Sequence, residues 1–372
     1  MYLSAAYVMY ECAMRISTEM VSMRGLQQQV RCYLACLNAL KLVNKDYAWI
    51  VKPVLKISSS GPESSLPPGV SPKHSHDGHF KAVNATEVKP RMKVLEIKDI
   101  EKEFVLVSAR LKLASTLCHS KNKNSKNSNV DQGSSSVVTG PTLSSNDALA
   151  LLVSANLFVD AVKIANVFKI DVRPVVEGLA SRCVYLSRSK PSDKDLAWDW
   201  LAENNFGGGG GECGATATSV EAAWSLLKKI VQDQEKTSVT SLKKAIAIRL
   251  MVLGTALPAW LVNAYKCANP AELLHLYLSH GFIIMASNFA VEYIEAALGN
   301  GCQYFGFANA LHAHSTPIWL PFNLFDQLML ELKDHIDNPV CKKHYVRINQ
   351  TLDHYMSTVK RVSQDMISIS VS

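Results

Sequence analysis

The sequence predicts an all-α protein, an irregular α-solenoid of stacked antiparallel helix pairs with disordered insertions. Three observations carry that expectation. Apolar residues recur at helical spacing along most of the chain. A helix–corner–helix pattern repeats, in which Leu151 to Ala161 lines up with Leu276 to Ala286. Each copy runs an apolar helix into Asn156 or Gly281, then two large apolar residues, then Ala161 or Ala286. Pro and Gly gather in a few places, which leaves long stretches free to be helical. Asn and Gly tolerate the left-handed conformation that ends a helix, and the small Ala lets the next helix approach its neighbour closely. A looser third corner is Gly254, followed by Pro258, a residue suited to the first turn of a new helix. Stacked units of this kind are TPR/HEAT-like, and their usual work is holding other proteins.

The elements follow in order. Residues 1–57 read as a helical pair: Ala5, Met9, Cys12 and Ile16 share one face, then Leu26, Val30, Tyr33, Leu34 and Leu37 another. Asn44 and Asp46 interrupt the second helix. Residues 58–90, with Pro62, Pro67, Pro68 and Pro72, read as a flexible loop. Residues 91–118 read as a helix carrying Val94, Ile97, Phe104, Leu111 and Leu113, and 119–146, rich in Ser, Asn and Lys, as a disordered linker. Residues 147–298 form the solenoid proper, opened by the pair around Asn156 and the helix starting at Arg173-Pro174. A short aromatic helix, a spacer at Gly207–Gly211 and further helices follow. Residues 299–318 are an irregular connection, and 319–372 hold the C-terminal helices, at about 322–336 and 340–366. No segment reads convincingly as a strand.

Composition narrows the function. At 372 residues the chain suffices for two or three compact domains or one extended solenoid. The net charge of +7 is mild and its cations are scattered, often beside acids as in Lys98 to Glu103. That is a solvated helix face rather than a nucleic-acid stripe. Nine cysteines without a regular framework imply reduced thiols. Cys32 and Cys36 share a helix face, but no second pair at zinc spacing accompanies them, so core packing is expected. Met1 to Ile16 lacks the basic start of a signal peptide, and Glu11 breaks its apolar run. The longest uncharged stretch, Leu250 to Tyr265, is shorter than the roughly 20 residues of a membrane span.

No constellation carries catalytic or metal chemistry. Gly207–Gly211 lacks the Gly-Lys-Ser/Thr of a phosphate loop. His74, His76, Asp77 and His79 lie in the proline-rich loop without distant ligands to fix them, and His312 and His314 meet the same objection. No Gly-x-Ser-x-Gly elbow is present. The expectation is therefore a non-enzyme without cofactor or small-molecule substrate. The surface candidate is Thr316 to Phe325, where Pro317 and Pro321 stiffen the backbone around an aromatic anchor. Trp319, Leu320, Phe322, Leu324, Phe325 and Leu328 are the candidate partner-binding residues. The competing reading is that Trp319 and Phe322 plug the end of the solenoid. Asn156, Ala161, Gly254, Pro258, Gly281 and Ala286 are the structural corners, and Trp198, Trp224 and Trp260 are assigned to the core.

A longer series of segments resembles a known family. It runs through Ala6 to Ala13, Arg24 to Val30, Asp46 to Val51, Leu95 to Glu103 and Val176 to Ala180. Its most specific members are Leu257 to Tyr265 with Ala271 to Leu274, and Gly301 to Gly306, completed by Ile318-Trp319-Leu320-Pro321. In this order the segments resemble the C-terminal α-helical region of the nucleoporin 160 family, scaffold proteins of the Y-shaped subcomplex of the nuclear pore. The resemblance implies a structural role in the nuclear pore complex at the nuclear envelope, supporting pore assembly, mRNA export and protein transport. It implies nucleoporin 85 and nucleoporin 96 as partners, the terminal helices as the contact surface, no direct membrane span and no nucleic-acid partner. The family's N-terminal β-propeller and the first half of its stack have no counterpart here, so a fragment, an incomplete gene model or a short isoform is expected. Two other classes compete: an RNA-binding helical repeat, motivated by Lys121 to Lys126, and a vesicle-coat or tethering solenoid of the same fold.

Overall fold

In the computed structural model the described residues are 2–19, 22–54, 91–123, 143–206, 218–235, 242–307, 311, 318 and 320–371. The histidine-bearing loop, Gly207–Gly211, Trp319, His312 and His314 lie outside them. The chain divides into two compact units: Met1–Leu151 with Lys163–Ile170, and Leu152–Val162 with Asp171–Ser372.

The first unit opens with α1 (Tyr2–Glu19) and α2 (Met23–Lys41), packed against each other. Ser22 starts α2 by accepting a bond from the Gly25 N–H at 3.1 Å, which satisfies one of the free donors of the first turn. Ala6, Tyr10 and Ala13 of α1 and Leu26, Tyr33, Cys36, Leu37 and Leu40 of α2 are buried. The small alanines let the two backbones close up.

The all-α expectation holds, with a small sheet added to it among the described residues. β1 (Trp49–Val54) and β2 (Arg91–Glu96) form a two-stranded antiparallel sheet, in register from Trp49↔Glu96 to Val54↔Arg91. Trp49-Ile50-Val51 favours a pleated, half-buried surface, and the directly paired Ile50 and Leu95 are both buried. Each strand is short and its partner lies some 40 positions away, so neither is visible alone.

β2 runs directly into α3 (Ile97–Lys123), which packs on α2. Glu103 of α3 accepts hydrogen bonds from the Tyr33 hydroxyl at 2.9 Å and the Tyr10 hydroxyl at 3.3 Å, tying three helices together. Burial, and then the Glu103 charge, raises both tyrosines above their ordinary range. The same two causes push the Cys36 thiol up to about 11. α3 ends at Lys123 and α4 (Ser145–Ser154) starts at Ser145, so helix reaches into both ends of the stretch read as linker. Residues 124–142 are outside the described set.

The second unit shows what the corners are. After α4, Asn156 takes φ +60, its N–H bonds Val153 O at 3.1 Å, and the Leu157 N–H bonds Leu152 O at 2.9 Å. This is a Schellman motif, in which a left-handed residue lets two N–H groups satisfy the last free carbonyls. α5 (Phe158–Phe168) begins at once, with Leu157, Phe158 and Ala161 buried. Gly254 (φ +65) and Gly281 (φ +73) repeat the geometry with the same two bonds. Ala286 follows Gly281 as a fully buried residue.

The remaining helices are α6 (Arg173–Arg188), α7 (Pro191–Glu203), α8 (Ser219–Glu235), α9 (Leu242–Val252), α10 (Ala259–Ala268), α11 (Pro270–Ser279), α12 (Ile283–Ala297), α13 (Phe322–Asp334) and α14 (Pro339–Val371). Pro258 sits immediately before α10 with extended backbone, one position earlier than a first-turn residue. Within this unit α6 packs on α7, α8 and α9, α8 on α7 and α9, α9 on α11, α11 on α10, α12 and α13, and α14 on α12 and α13. The result is a succession of apolar layers rather than one centre. Trp200 is buried and meets Phe158 edge-on at 5.9 Å, whereas Trp198, Trp224 and Trp260 are half-buried, less enclosed than the core assignment expected.

Candidate partner-binding surface

The end of the second unit is built on an aromatic stack. Tyr293 of α12 stacks on Phe305 with centroids 5.3 Å apart and on Phe307 at 6.0 Å, and Phe289 meets Phe305 at 5.8 Å. Burial pushes Tyr277 and Tyr293 up to about 12, so both remain neutral structural groups. Phe305 lies in a short 3-10 turn, Cys302–Phe305, closed on each side by a left-handed glycine, Gly301 (φ 84) and Gly306 (φ 69). This turn lies within the connection read as irregular.

α13 is laid onto this stack by its own spacing. Phe325, Leu328 and Leu332 recur on one face and are fully enclosed, with Phe325 edge-on to Tyr293 at 6.3 Å. Leu320, just before the helix, is also buried. The six sequence candidates therefore separate. Leu320, Phe325 and Leu328 face the protein's own interior, Leu324 is half-buried, and Trp319 is outside the described residues. Phe322 alone is open, 44% exposed, while its ring still touches Phe325 at 6.2 Å and Tyr355 of α14 at 6.1 Å. Direct contact through Leu320, Phe325 and Leu328 gives way to a packing role, because their side chains are already covered.

The larger apolar feature is α14, which the candidate residues did not include. Its first half is anchored. Cys341, Ile348 and Tyr355 are buried, Ser287 Oγ of α12 lies 2.9 Å from His344 Nδ1, and Arg347 meets Glu295 at 4.0 Å. Beyond Tyr355 no residue through Ser368 is buried. Yet Leu352, Tyr355, Val359, Val362 and Met366 follow one another at alternating steps of three and four, the seam of a helix that packs on another helix. Met356, Met366 and Ile367 are exposed along this half, and Lys360 and Arg361 flank it. The seam was legible in the sequence through that 3-4 spacing. What the sequence lacked was where the helix leaves its neighbours. Among the described residues no group of three or more His, Cys, Asp or Glu is placed to hold a metal. No helix of the described residues is long and apolar enough to cross a membrane.

Comparison with known proteins agrees with this architecture. The family described as Nup160 C-terminal TPR matches residues 96–371, and that described as NUP160/120 middle TPR matches residues 1–42. The human nuclear pore complex protein Nup160 is 34% identical over 370 residues, covering 98% of this chain and 24% of that protein. The Drosophila melanogaster Nup160 homolog is 30% identical over 371 residues, covering 99% and 24%, and Arabidopsis thaliana NUP160 is 21% identical over 378 residues, covering 92% and 23%. The chain thus spans about 24% of the length of the animal relatives it matches. Helix pairs, left-handed corners and a family match over most of the chain converge: it belongs to the Nup160 family of nuclear pore proteins, as a part of that family's TPR-type α-solenoid.

Proposed function

We propose that this chain is a structural scaffold element of the nuclear pore complex, in its Y-shaped subcomplex, acting through helix-to-helix contacts and not through catalysis. The observation that carries the reading is the C-terminal arrangement: a family match through residue 371 ends on a helix whose apolar seam from Val359 to Met366 has no buried residue. A seam of that kind is completed by another helix, and burial of Val, Met and Leu along several turns makes such contacts hydrophobic at their centre and resistant to salt. Phe322 extends the surface at the junction of α13 and α14. The partners are nucleoporin 85 and nucleoporin 96, and the assembled scaffold supports pore assembly, mRNA export and protein transport.

The test is co-elution on size exclusion of this chain with the C-terminal region of nucleoporin 85 and the N-terminal region of nucleoporin 96. A complex that persists at moderate salt supports the proposal. A folded helical chain that never co-elutes with either refutes it.

A further inference from the structure

Two thiols meet in the first unit, where α1 packs on α2. The rings of Tyr10 and Tyr33 lie edge-on at 6.0 Å, and the Tyr33 hydroxyl reaches Met14 Sδ at 3.6 Å. These contacts fix the register of the two helices. Cys12 falls between Tyr10 and Met14 along α1, and Cys32 adjoins Tyr33 on α2, so the two cysteines stand at the same level of the pair. Their thiols are hydrogen-bonded to each other. A disulfide needs cysteines that face each other across closely spaced backbones, with sulfurs able to meet at about 2 Å. The buried Ala6 and Ala13 of α1 supply the close spacing, and the thiol contact supplies the facing.

The two thiols differ in access. Cys12 is exposed and Cys32 half-buried. Burial first, and then the bond to Cys12, raises the Cys32 thiol from its ordinary value, so Cys12 is the one that meets an oxidant. Cys36, one turn further along α2, is fully buried and pushed up to about 11. Cys183 of α6 is fully enclosed. Neither is open to attack. We propose that Cys12 and Cys32 are a redox-responsive pair, a dithiol that a small disulfide such as glutathione disulfide converts into a bridge locking α1 to α2. The Cys12 thiolate attacks one glutathione sulfur, forming a mixed disulfide and expelling a glutathione thiolate, which takes up the proton that Cys12 lost. The Cys32 sulfur then attacks the Cys12 sulfur and breaks the mixed disulfide, and the second glutathione leaves with the Cys32 proton. The protein loses two electrons and glutathione disulfide is reduced to two glutathiones. In the dithiol form α1 is held by the packing of Ala6, Tyr10 and Ala13 and by the bond from Tyr10 to Glu103. The bridge adds a covalent tie beside Tyr33, and reducing conditions release it.

The test equilibrates the whole reduced chain with glutathione disulfide, traps free thiols with N-ethylmaleimide in denaturant and maps the linkage by non-reducing peptide mass spectrometry. Melting is followed by circular dichroism on the untrapped chain. The expected product is an intramolecular Cys12–Cys32 bridge, two hydrogens lighter than the dithiol, with Cys36 and Cys183 still trapped as thiols. A disulfide that closes a loop destabilises the unfolded chain, so the oxidised form melts about 5 °C higher or more, and dithiothreitol reverses the shift. Cys12→Ser and Cys32→Ser each abolish both the bridge and the shift. Cys12 is exposed, so its variant folds as the reduced chain does. Cys267→Ser, at an exposed thiol of the second unit, keeps both. Four results overturn the proposal. These are a glutathione adduct that persists on Cys12 with Cys32 free, a disulfide-linked dimer through Cys12, both thiols fully trapped after oxidation, or a bridge that leaves the melting temperature unchanged.

Discussion

Asn204 closes the corner at Asn156 from the far side, and replacing it tests how these corners are held. It follows α7 and is almost completely buried. Its Oδ1 accepts from the Val159 N–H at 2.9 Å, and its Nδ2 donates to Asn156 O and to Trp200 O, both at 2.7 Å. Val159 is in the first turn of α5, where N–H groups have no partner within the helix. Trp200 O belongs to the last turn of α7, and Asn156 is the left-handed residue itself. One amide therefore satisfies three backbone groups from three segments. Asn204→Ala leaves the Val159 N–H and Asn156 O without that partner, while Trp200 O keeps the backbone N–H of residue 204 at 3.2 Å, and a buried unsatisfied group costs about 1–3 kcal/mol. With partial relaxation the substitution destabilises the second unit by about 2–4 kcal/mol, toward the upper end for single changes. Asn204→Asp keeps the acceptor but turns a carboxylate toward two carbonyls, so it is no milder. The assay is urea denaturation followed by tryptophan fluorescence, for which Trp200 beside Phe158 reports locally, together with hydrogen exchange at the Val159 amide. An unchanged midpoint in Asn204→Ala, with Val159 as protected as before, would refute the reasoning.

Other substitutions probe different joints. A Cβ on Gly178 would stand 2.6 Å from Val153 Cγ1; Gly178→Ala gains about 1 kcal/mol of helix propensity but loses about 1–3 to overpacking, so it destabilises. The double variant Gly178→Ala with Val153→Ala recovers part of that loss in the same denaturation assay, and a further drop would contradict the steric account. Glu103→Leu leaves the Tyr10 and Tyr33 hydroxyls without their acceptor and lowers stability by about 1–3 kcal/mol, whereas Glu103→Gln, which keeps an acceptor, loses less. His344 has its pKa lowered from 6.5, by burial first and then by Arg347 and Lys343. A depressed folded pKa means protons bind the unfolded chain more readily. Stability is therefore full above 6.5 and falls as pH drops through that value toward the folded pKa. His344→Gln removes this part of the pH dependence, seen as a smaller change in melting temperature between neutral and mildly acidic buffer.

The corners were legible because their chemistry is local. Asn156, Gly254 and Gly281 are residues that accept positive φ, and each stands at the end of an apolar run. Lys169 (φ 55) and Asn205 (φ 58) adopt the same conformation but were not singled out. Lysine is a poor left-handed residue, and Asn205 adjoins a glycine run that drew attention away. The β1–β2 pair was hidden because pairing is non-local: Met92 and Val94 alternate with Lys93 and Leu95, yet only their register with Val51 and Pro53 distinguishes strand from helix start. The packing of the segment before α13 was only partly legible. Proline and aromatic content drew attention to the segment before α13, but burial depends on Tyr293 and Phe305, which the sequence places far from Phe325. Asn204 gave no signal at all, since an asparagine after a helix reads as an ordinary cap.

The central claim, that the apolar seam of α14 is completed by a nucleoporin partner, is tested most directly by hydrogen exchange of the whole chain alone and with the nucleoporin 85 and nucleoporin 96 regions. The account predicts that amides from Met356 to Ser368, a helical stretch without a buried residue, slow markedly in the complex, with a smaller effect at Phe322. Protection confined to other helices, or a complex in which this half of α14 exchanges as fast as before, would contradict it.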